Sequence, residues 1–367
     1  MTGVLMGGSH TFDDLVREWT TIEDCEPLDR KQGLNWLAKS LRIAAQLEFS
    51  TIPPYLCALW SIKDPASPTA STIRHVVQEE MIHMALALNM LVSLGDEYRV
   101  GIADPNWVPK YPGGLAGGIH PGLNVELAGF SRRALDVFLE IELPASRIEH
   151  AVAALERAER YEPEQVGGAT IGEFYEKILH AFDVLEPEYR IDRQLTGPLA
   201  WVPITCHDDV RRAIELIIDQ GEGSGRGPAE YPIEPGKPIE LSHFYRFLEL
   251  AVEKRIVPLD EDGTSWGFGE DLQHPECFPM AAVPTGGYSG PDSDAPPRVI
   301  ELCTRFNRDY TAMLHHLDRA WTNGDQGELV HAIERMFSLE APARELMQIE
   351  TERHPSVTYG PDFRFLP

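Results

Sequence analysis

The amino-acid sequence predicts an all-α protein: a four-helix bundle with long loop insertions and additional C-terminal helices. Three observations favour this fold class. Apolar residues recur at the three- and four-residue spacing of helices in several segments of the 367-residue chain. The alternation that is typical of strands is short and scarce. In addition, glutamate and histidine interrupt several apolar helix stripes, where core residues are expected.

The composition is that of a globular protein with a strongly negative charge. Hydrophobic residues make up 43% of the chain, and 32 Lys and Arg against 58 Asp and Glu give a net charge of −26. This charge disfavours nucleic acids and anionic membranes as partners. No stretch approaches the roughly 20 apolar residues of a membrane span, and the first ten residues lack a signal-peptide pattern. The five cysteines form no C-x-x-C pair, so we expect a cytoplasmic location.

Four consecutive parts are predicted, and we expect them to form one structural domain. An N-terminal segment covers residues 1–32, and the metal-binding bundle covers 33–255. A Pro/Gly-rich irregular segment follows at 256–297, and a C-terminal helical pair over 298–367 is expected to pack on the bundle. The long loop over 101–124 is a candidate cover for a site, because loops of this length are commonly functional.

The helices of the bundle follow from apolar spacing and from helix-ending residues. They are predicted at 33–50, 72–94, 131–143, 145–160, 170–185, 208–220 and 240–255. Pro53 and Pro54 are expected to interrupt or kink the first helix, because proline lacks an amide hydrogen. Gly95 ends the second helix. Two further helices are predicted at 298–322 and 326–348.

The most informative motif is Glu80-x-x-His83 in the second helix. Residues three apart lie on one face of a helix, and these two share an apolar line with Val76 and Leu91. A buried carboxylate costs several kcal/mol unless it is paired or binds a metal. A metal site and a buried Glu–His pair both explain the motif, and Glu79 is a further possible partner of His83.

Two other carboxylates also interrupt apolar stripes. Glu48 ends a stripe in the first helix, and Glu142 follows Leu135, Phe138 and Leu139 in the third. Each is an inward-facing ligand candidate, although a glutamate at the end of a helix can also be solvated.

The fourth helix leaves its contribution open among three residues. His243 lies on a line that continues through Phe247. Glu222 stands between two glycines, which allow close backbone approach or simply end a helix. Glu240 precedes His243 by three residues, but acidic residues are common at helix N-termini. We favour His243 over Glu222, and Glu222 over Glu240.

In chain order the sequence therefore offers Glu, Glu-x-x-His, Glu, and then Glu with His. Ferritin-like bundles send ligands to a metal site in their core in this order. Carboxylate and imidazole ligands with open positions suit Fe(II) or Mn. The pattern predicts a site for iron, with one ion or two and with manganese as the alternative.

The chain also resembles the ferritin-like domain of iminophenylpyruvate dimer synthases, from about residue 33 to about residue 255 and more loosely beyond. The segments that carry the resemblance are 47–55, 79–84, 141–144, 170–175, 220–223 and 242–244. The resemblance implies metal-site positions at Glu48, Glu80, His83, Glu142, Glu222 and His243. Members of this family in violacein and rebeccamycin pathways couple two tryptophan-derived imines oxidatively. The large pathway enzymes are much longer than this chain.

The motifs and the resemblance together predict a non-haem iron-dependent oxidase or oxygenase of specialised metabolism. Its substrates would be O2 and a small amino-acid-derived molecule, such as a tryptophan-imine-like compound, and the apolar content is compatible with a homo-oligomer. Two alternatives stay open. One is a metal-binding or storage module without turnover. The other is a bundle without metal, in which the buried carboxylates pair with Arg132, Arg133 or Arg147.

Overall fold

The structure is a computed structural model. It describes residues 11–25, 27–144, 170–197, 202–221, 227–231, 233, 237–288, 295–352 and 354–366. The predicted helix over 145–160, the candidate ligand Glu222 and Arg147 lie outside these residues. The described chain is mostly helical, which confirms the predicted all-α class. None of the described helices is both long enough and apolar enough to cross a membrane.

Two long helices form the centre of the bundle. They are α2 (Arg30–Ser61) and α3 (Pro68–Ser93), which pack along each other after a short connection. A helix that was not predicted, α1 (Phe12–Glu23), lies on α2. There the indole nitrogen of Trp36 donates a 2.8 Å hydrogen bond to the Leu15 carbonyl. The buried face of α1 consists of Leu15, Trp19 and Ile22, which are spaced four and three residues apart.

Helix α2 continues through Pro53 and Pro54, where the sequence predicted a break or kink. The two prolines remove two amide donors and leave the carbonyls of Phe49 and Ser50 without helical partners. Tyr111 compensates one of them, because its hydroxyl donates a 2.6 Å hydrogen bond to the Ser50 carbonyl. A tertiary contact from the 101–124 loop therefore supports the helix at the place where local rules predict that it ends.

The third and fourth positions of the bundle are each occupied by two shorter helices, the third by α4 (Arg132–Ile141) and α5 (Ile171–Leu185) and the fourth by α6 (His207–Gly221) and α7 (His243–Val252). Both α4 and α5 pack on α2, whereas α6 and α7 pack on α3. In addition, α4 packs on α7 and α5 packs on α6. The bundle thus keeps four positions, two of which are interrupted.

Local capping and aromatic packing hold these elements in place. At the starts of α2 to α5, a side-chain oxygen accepts a hydrogen bond from a backbone amide of the first turn. The accepting side chains are those of Asp29, Ser67, Ser131 and Thr170. Tyr55 of α2 packs on Phe138 of α4 and on Phe247 of α7, with ring centroids 4.6 and 5.0 Å apart. Through these three rings, α4 and α7, one from each interrupted position of the bundle, pack against α2.

The segment predicted to be irregular contains a small antiparallel hairpin. Its strands are β1 (Lys254–Pro258) and β2 (Trp266–Asp271). After it come α8 (Pro297–Asn323), α9 (Gln326–Ser338) and α10 (Glu340–Leu346). The helix predicted over 326–348 is therefore two helices, because Pro342 cannot donate a hydrogen bond to the Ser338 carbonyl. Helix α8 packs on α3 and α10 packs on α2.

Candidate metal centre

Five of the six predicted ligands meet in the interior of the bundle. Glu48 comes from the middle of α2, and Glu80 and His83 come from α3. Glu142 is the residue that ends α4, and His243 is the first residue of α7. Each of the five is at most 4% exposed. The interruptions of the bundle therefore bring Glu142 and His243 to the level of the ligands on α2 and α3.

The five side chains form two groups that share Glu80. One group is Glu48, Glu80 and His83, the other is Glu80, Glu142 and His243, and the potential ligand atoms of each lie within 4.8 Å of one another. Nδ1 of His83 is 3.5 Å from Glu48 Oε2 and 3.6 Å from Glu80 Oε1. Ligand atoms bound at about 2.1 Å to one ion lie about 3.0 to 3.4 Å apart. Each group could hold a metal ion, and Glu80 belongs to both groups.

Each histidine turns its other nitrogen to a partner that fixes the tautomer. Nε2 of His83 lies 2.8 Å from the amide oxygen Oε1 of Gln220. Nε2 of His243 lies 3.1 Å from Oε2 of Glu79. Because both partners accept hydrogen bonds, Nε2 carries the hydrogen in each ring and Nδ1 faces the carboxylates. Partners of this kind orient metal-binding histidines.

Each of the three carboxylates has one oxygen bound by a hydroxyl group. Tyr175 donates to Glu48 Oε1 at 2.6 Å, Thr51 to Glu80 Oε2 at 2.7 Å, and Tyr55 to Glu142 Oε1 at 2.6 Å. The second oxygen of each carboxylate is the one nearest to a histidine Nδ1. The hydroxyls therefore orient the carboxylates and leave one oxygen of each for an ion.

Burial and close charges shift the pKa values of these groups in different directions. Burial raises the pKa of Glu48 to about 7 and also raises the pKa of Glu142. Burial acts to raise the pKa of Glu80 too, but His243 and His83 outweigh it and lower the pKa. For His83, burial lowers the pKa, but Glu48 and Glu80 outweigh burial and raise it to about 10.

The surroundings of His243 show that these residues fit a cation. Its Nδ1 lies 2.8 Å from Glu80 Oε1 and 3.6 Å from Glu142 Oε2. In the described part of the chain this nitrogen nevertheless has no hydrogen-bond partner. With the ring hydrogen on Nε2, Nδ1 and the carboxylate oxygens all present lone pairs to one another. A proton or a metal ion between them removes this repulsion.

The remaining sequence candidates have other environments. Glu240 is exposed, and its backbone carbonyl accepts the amide hydrogen of Glu230. A Cβ atom at Gly221 would lie 3.7 Å from Glu142 Oε2. The chain that leads to Glu222 therefore runs beside the centre, although Glu222 itself lies beyond the described part. Glu79 bonds His243 instead of His83.

The arginines proposed as alternative partners of the carboxylates contact other groups. Arg132 bonds Asp136, and Arg133 bonds Glu126. Arg246 does reach the neighbourhood of the centre, where it pairs with Glu79 and Glu230.

Apart from Glu79, the residues that support the ligands have no role in the prediction from sequence. A signal existed for Thr51 and Tyr55, because they follow Glu48 by three and seven residues on the same helix face. No such signal marks Tyr175, Gln220 or Arg246, since their contacts come from helices that are distant in sequence.

Comparisons with known proteins agree with this fold. A ferritin-like family model matches residues 41–252. Dichlorochromopyrrolate synthase of Lentzea aerocolonigenes is 23% identical over 321 residues, which cover 78% of this chain but only 29% of that protein. Among solved structures, a ferritin-like protein from Caulobacter vibrioides has a TM-score of 0.59 at 19% identity and covers 90% of this chain. The match covers 97% of that chain, and at this identity it supports the fold alone.

Proposed function

The chain belongs to the ferritin-like family, and from this premise we propose that it is a non-haem iron-dependent oxidase or oxygenase. Its substrate would be a small amino-acid-derived molecule of specialised metabolism, with tryptophan-imine-like compounds as the first candidates. The name of the Lentzea aerocolonigenes relative supports a biosynthetic role. The chain spans less than a third of that relative's length, so the proposal concerns the classes of reaction and substrate.

The observation that carries the proposal is the pair of Glu and His groups that share Glu80. Each group supplies three donor atoms, which leaves about three positions of an octahedral ion for O2 and substrate. Because the ligands form two groups, the proposal includes two ions, one for each group, and Glu80 would contribute to both. Iron is the ion we propose, and manganese is the alternative with the same ligand preference.

The residues of the chain have three tasks in this proposal. Bound iron would supply the activation of O2 and accept electrons from the substrate. Glu48, Glu80 and Glu142 would offset the charge of the ions, and the hydroxyls of Thr51, Tyr55 and Tyr175 would keep the carboxylates oriented. Because the ligands are almost fully buried, bulk water is excluded and electrostatic interactions at the centre are strengthened.

Metal analysis of protein produced with iron tests the first part of the proposal. We expect about two iron ions per chain, and a loss of both in Glu80→Ala, since Glu80 belongs to both groups. His83→Ala should lose at least one. Glu240→Ala is the matched control, because this exposed carboxylate also precedes a ligand histidine by three residues. Metal content that is unchanged in Glu80→Ala and His83→Ala would refute the metal centre.

Oxygen uptake tests the second part of the proposal. The iron-loaded protein should consume O2 when a suitable amino-acid-derived imine is added, and the Glu80→Ala variant should not. Iron binding without substrate-dependent O2 uptake over a panel of such compounds would instead favour a metal-binding or storage module. Absence of bound transition metal from the native protein would favour a bundle that holds no metal.

A further inference from the structure

A surface cavity of about 440 Å³ is lined by residues of the two C-terminal helices α8 and α9. The lining residues are His316, His331, Glu334, Arg335 and Ser338. His316 belongs to α8, and the other four lie on one face of α9, because they are spaced three, one and three residues apart. Two imidazoles therefore meet at a part of the chain that supplies no residue to the metal centre.

The two imidazole rings are separated as two ligands of one tetrahedral ion would be. Their centroids are 5.5 Å apart, and the ring planes are inclined by 48°. An ion bound at about 2.1 Å to a ring nitrogen lies about 3.2 Å from the ring centroid, so two imidazoles on one tetrahedral ion have centroids about 5.2 Å apart. Octahedral neighbours would have centroids about 4.5 Å apart. The observed separation is closer to the tetrahedral value, which is the geometry that Zn2+ prefers.

The ring of His316 is held through its Nδ1 atom. This nitrogen lies 2.7 Å from Oε2 of Glu328 and 2.8 Å from Nη2 of Arg319. Arg319 also donates to the same Glu328 oxygen through Nε at 2.9 Å. Because Nδ1 is enclosed by these two groups, an ion would bind His316 at Nε2, and the hydrogen that stays on Nδ1 would be accepted by Glu328. Carboxylates in this position orient metal-binding histidines.

The ring of His331 also has a carboxylate at Nδ1 but is freer to move. Its Nδ1 lies 3.3 Å from Oε2 of Glu334, and the two side chains are 59% and 69% exposed. Both can therefore turn toward an ion without displacing buried atoms. Nε2 of His331 would supply the second ligand, with the carboxylate of Glu334 beside it.

The charges around the cavity also favour a cation. The acidic side chains outnumber the basic ones: Asp309, Glu328 and Glu334 stand against Arg319 and Arg335. Both arginines are paired, Arg319 with Glu328 at 2.8 Å and Arg335 with Asp309 at 3.0 Å. In the described part of the chain, Glu334 pairs with His331 and with no arginine or lysine. Its charge is therefore available to a bound cation.

We propose that His316 and His331 bind a divalent cation of the Zn2+ type, which joins α8 to α9, with water in the remaining positions. This site is separate from the metal centre and does not rest on the function proposed for it. Among the described residues, groups of three or more potential ligands within 4.8 Å of one another occur only at the metal centre. With two protein ligands, the C-terminal site should bind its ion more weakly than that centre.

Calorimetric titration of the Glu80→Ala variant with Zn2+ alone tests the proposal, because this variant lacks the ligand that both groups of the metal centre share. We expect about one Zn2+ per chain. His316→Ala or His331→Ala, each combined with Glu80→Ala, should lower the Zn2+ affinity by at least about tenfold. His75→Ala in the same background is the control, because His75 is an exposed histidine of α3 and should leave the affinity unchanged.

The melting temperature gives a second measurement, which does not depend on the heat of binding. Zn2+ should raise it in Glu80→Ala, because the ion binds the folded helical pair, and should raise it much less when His331, an exposed residue, is replaced as well. Absence of Zn2+ binding by Glu80→Ala would overturn the proposal. Affinity that survives both histidine substitutions, or that falls equally in His75→Ala, would also overturn it. The metal centre is tested separately, by the loss of iron from Glu80→Ala.

Discussion

The hydroxyl of Tyr55 donates a 2.6 Å hydrogen bond to Oε1 of Glu142, which lies 87 positions away in the sequence. Both side chains are buried, and the contact joins the middle of α2 to the end of α4. Tyr55 also packs on Phe138 and Phe247. One residue therefore places a candidate ligand and connects three helices of the bundle.

Tyr55→Phe should destabilise the metal-free protein by about 1 to 3 kcal/mol, because it leaves a buried carboxylate oxygen without its donor. The ring and its packing remain, so the change isolates the hydroxyl. Urea unfolding measures the effect. Tyr189→Phe is the matched control, since the Tyr189 hydroxyl has no hydrogen-bond partner among the described residues. Equal stability of the two variants would show that the Tyr55 hydroxyl contributes nothing.

Metal binding should release protons, and metal affinity should therefore rise with pH. In the metal-free protein the pKa of His83 is raised to about 10, and the pKa of His243 is also raised. Near pH 7 both rings then carry a second proton, on Nδ1, which a bound ion must displace. We expect about one proton or more per bound ion. Calorimetric titration with Co2+ in buffers of different ionisation enthalpy counts them, and an affinity independent of pH from 6 to 9 would contradict the expectation.

The stability of the metal-free protein should fall as the pH rises from about 7 to about 10. The folded-state pKa of His83, about 10, lies above its ordinary value of 6.5. The stabilisation from its proton is complete below the ordinary pKa and is lost as the pH passes through the raised one. Burial also raises the pKa of Glu48 from 4.5 to about 7. For this group too, stability should fall as the pH rises, here between about 4.5 and about 7.

Urea unfolding at pH 6.5, 8 and 9.5 measures this slope. His83→Gln should reduce it, and bound metal should abolish it, because an ion takes the place of the proton. A metal-free protein that gains stability over this range would contradict the assigned environment of His83.

Asn89→Ala should loosen the docking of the C-terminal helices. The Asn89 side chain accepts hydrogen bonds from Trp321 Nε1 of α8 and from the Leu195 amide, and it donates to the Leu195 carbonyl. The substitution leaves several buried polar groups without partners, at a cost of about 2 to 4 kcal/mol. A lower urea midpoint with a single transition is expected if the bundle and the C-terminal helices form one structural domain. Two separate transitions would contradict that prediction.

Much of the bundle was predictable because the information is local. Helices α2 and α3 follow from apolar spacing and from clear helix ends, and Glu80-x-x-His83 needs only one helix turn to bring its residues together. The continuation of α2 through Pro53 and Pro54 was not predictable in this way. It depends on Tyr111, whose hydroxyl reaches the Ser50 carbonyl from a distant loop.

By itself, the sequence determined the helical class and the inward faces that carry Glu48, Glu80, His83 and Glu142. It could do so because residues three and four apart lie on the same face of a helix. Only the tertiary structure decided which of these side chains meet. It placed Glu80 between two groups and assigned Glu79 to His243 and Gln220 to His83. Helical spacing carries no information about contacts between helices, and those contacts depend on how α4 and α7 pack at the interruptions of the bundle.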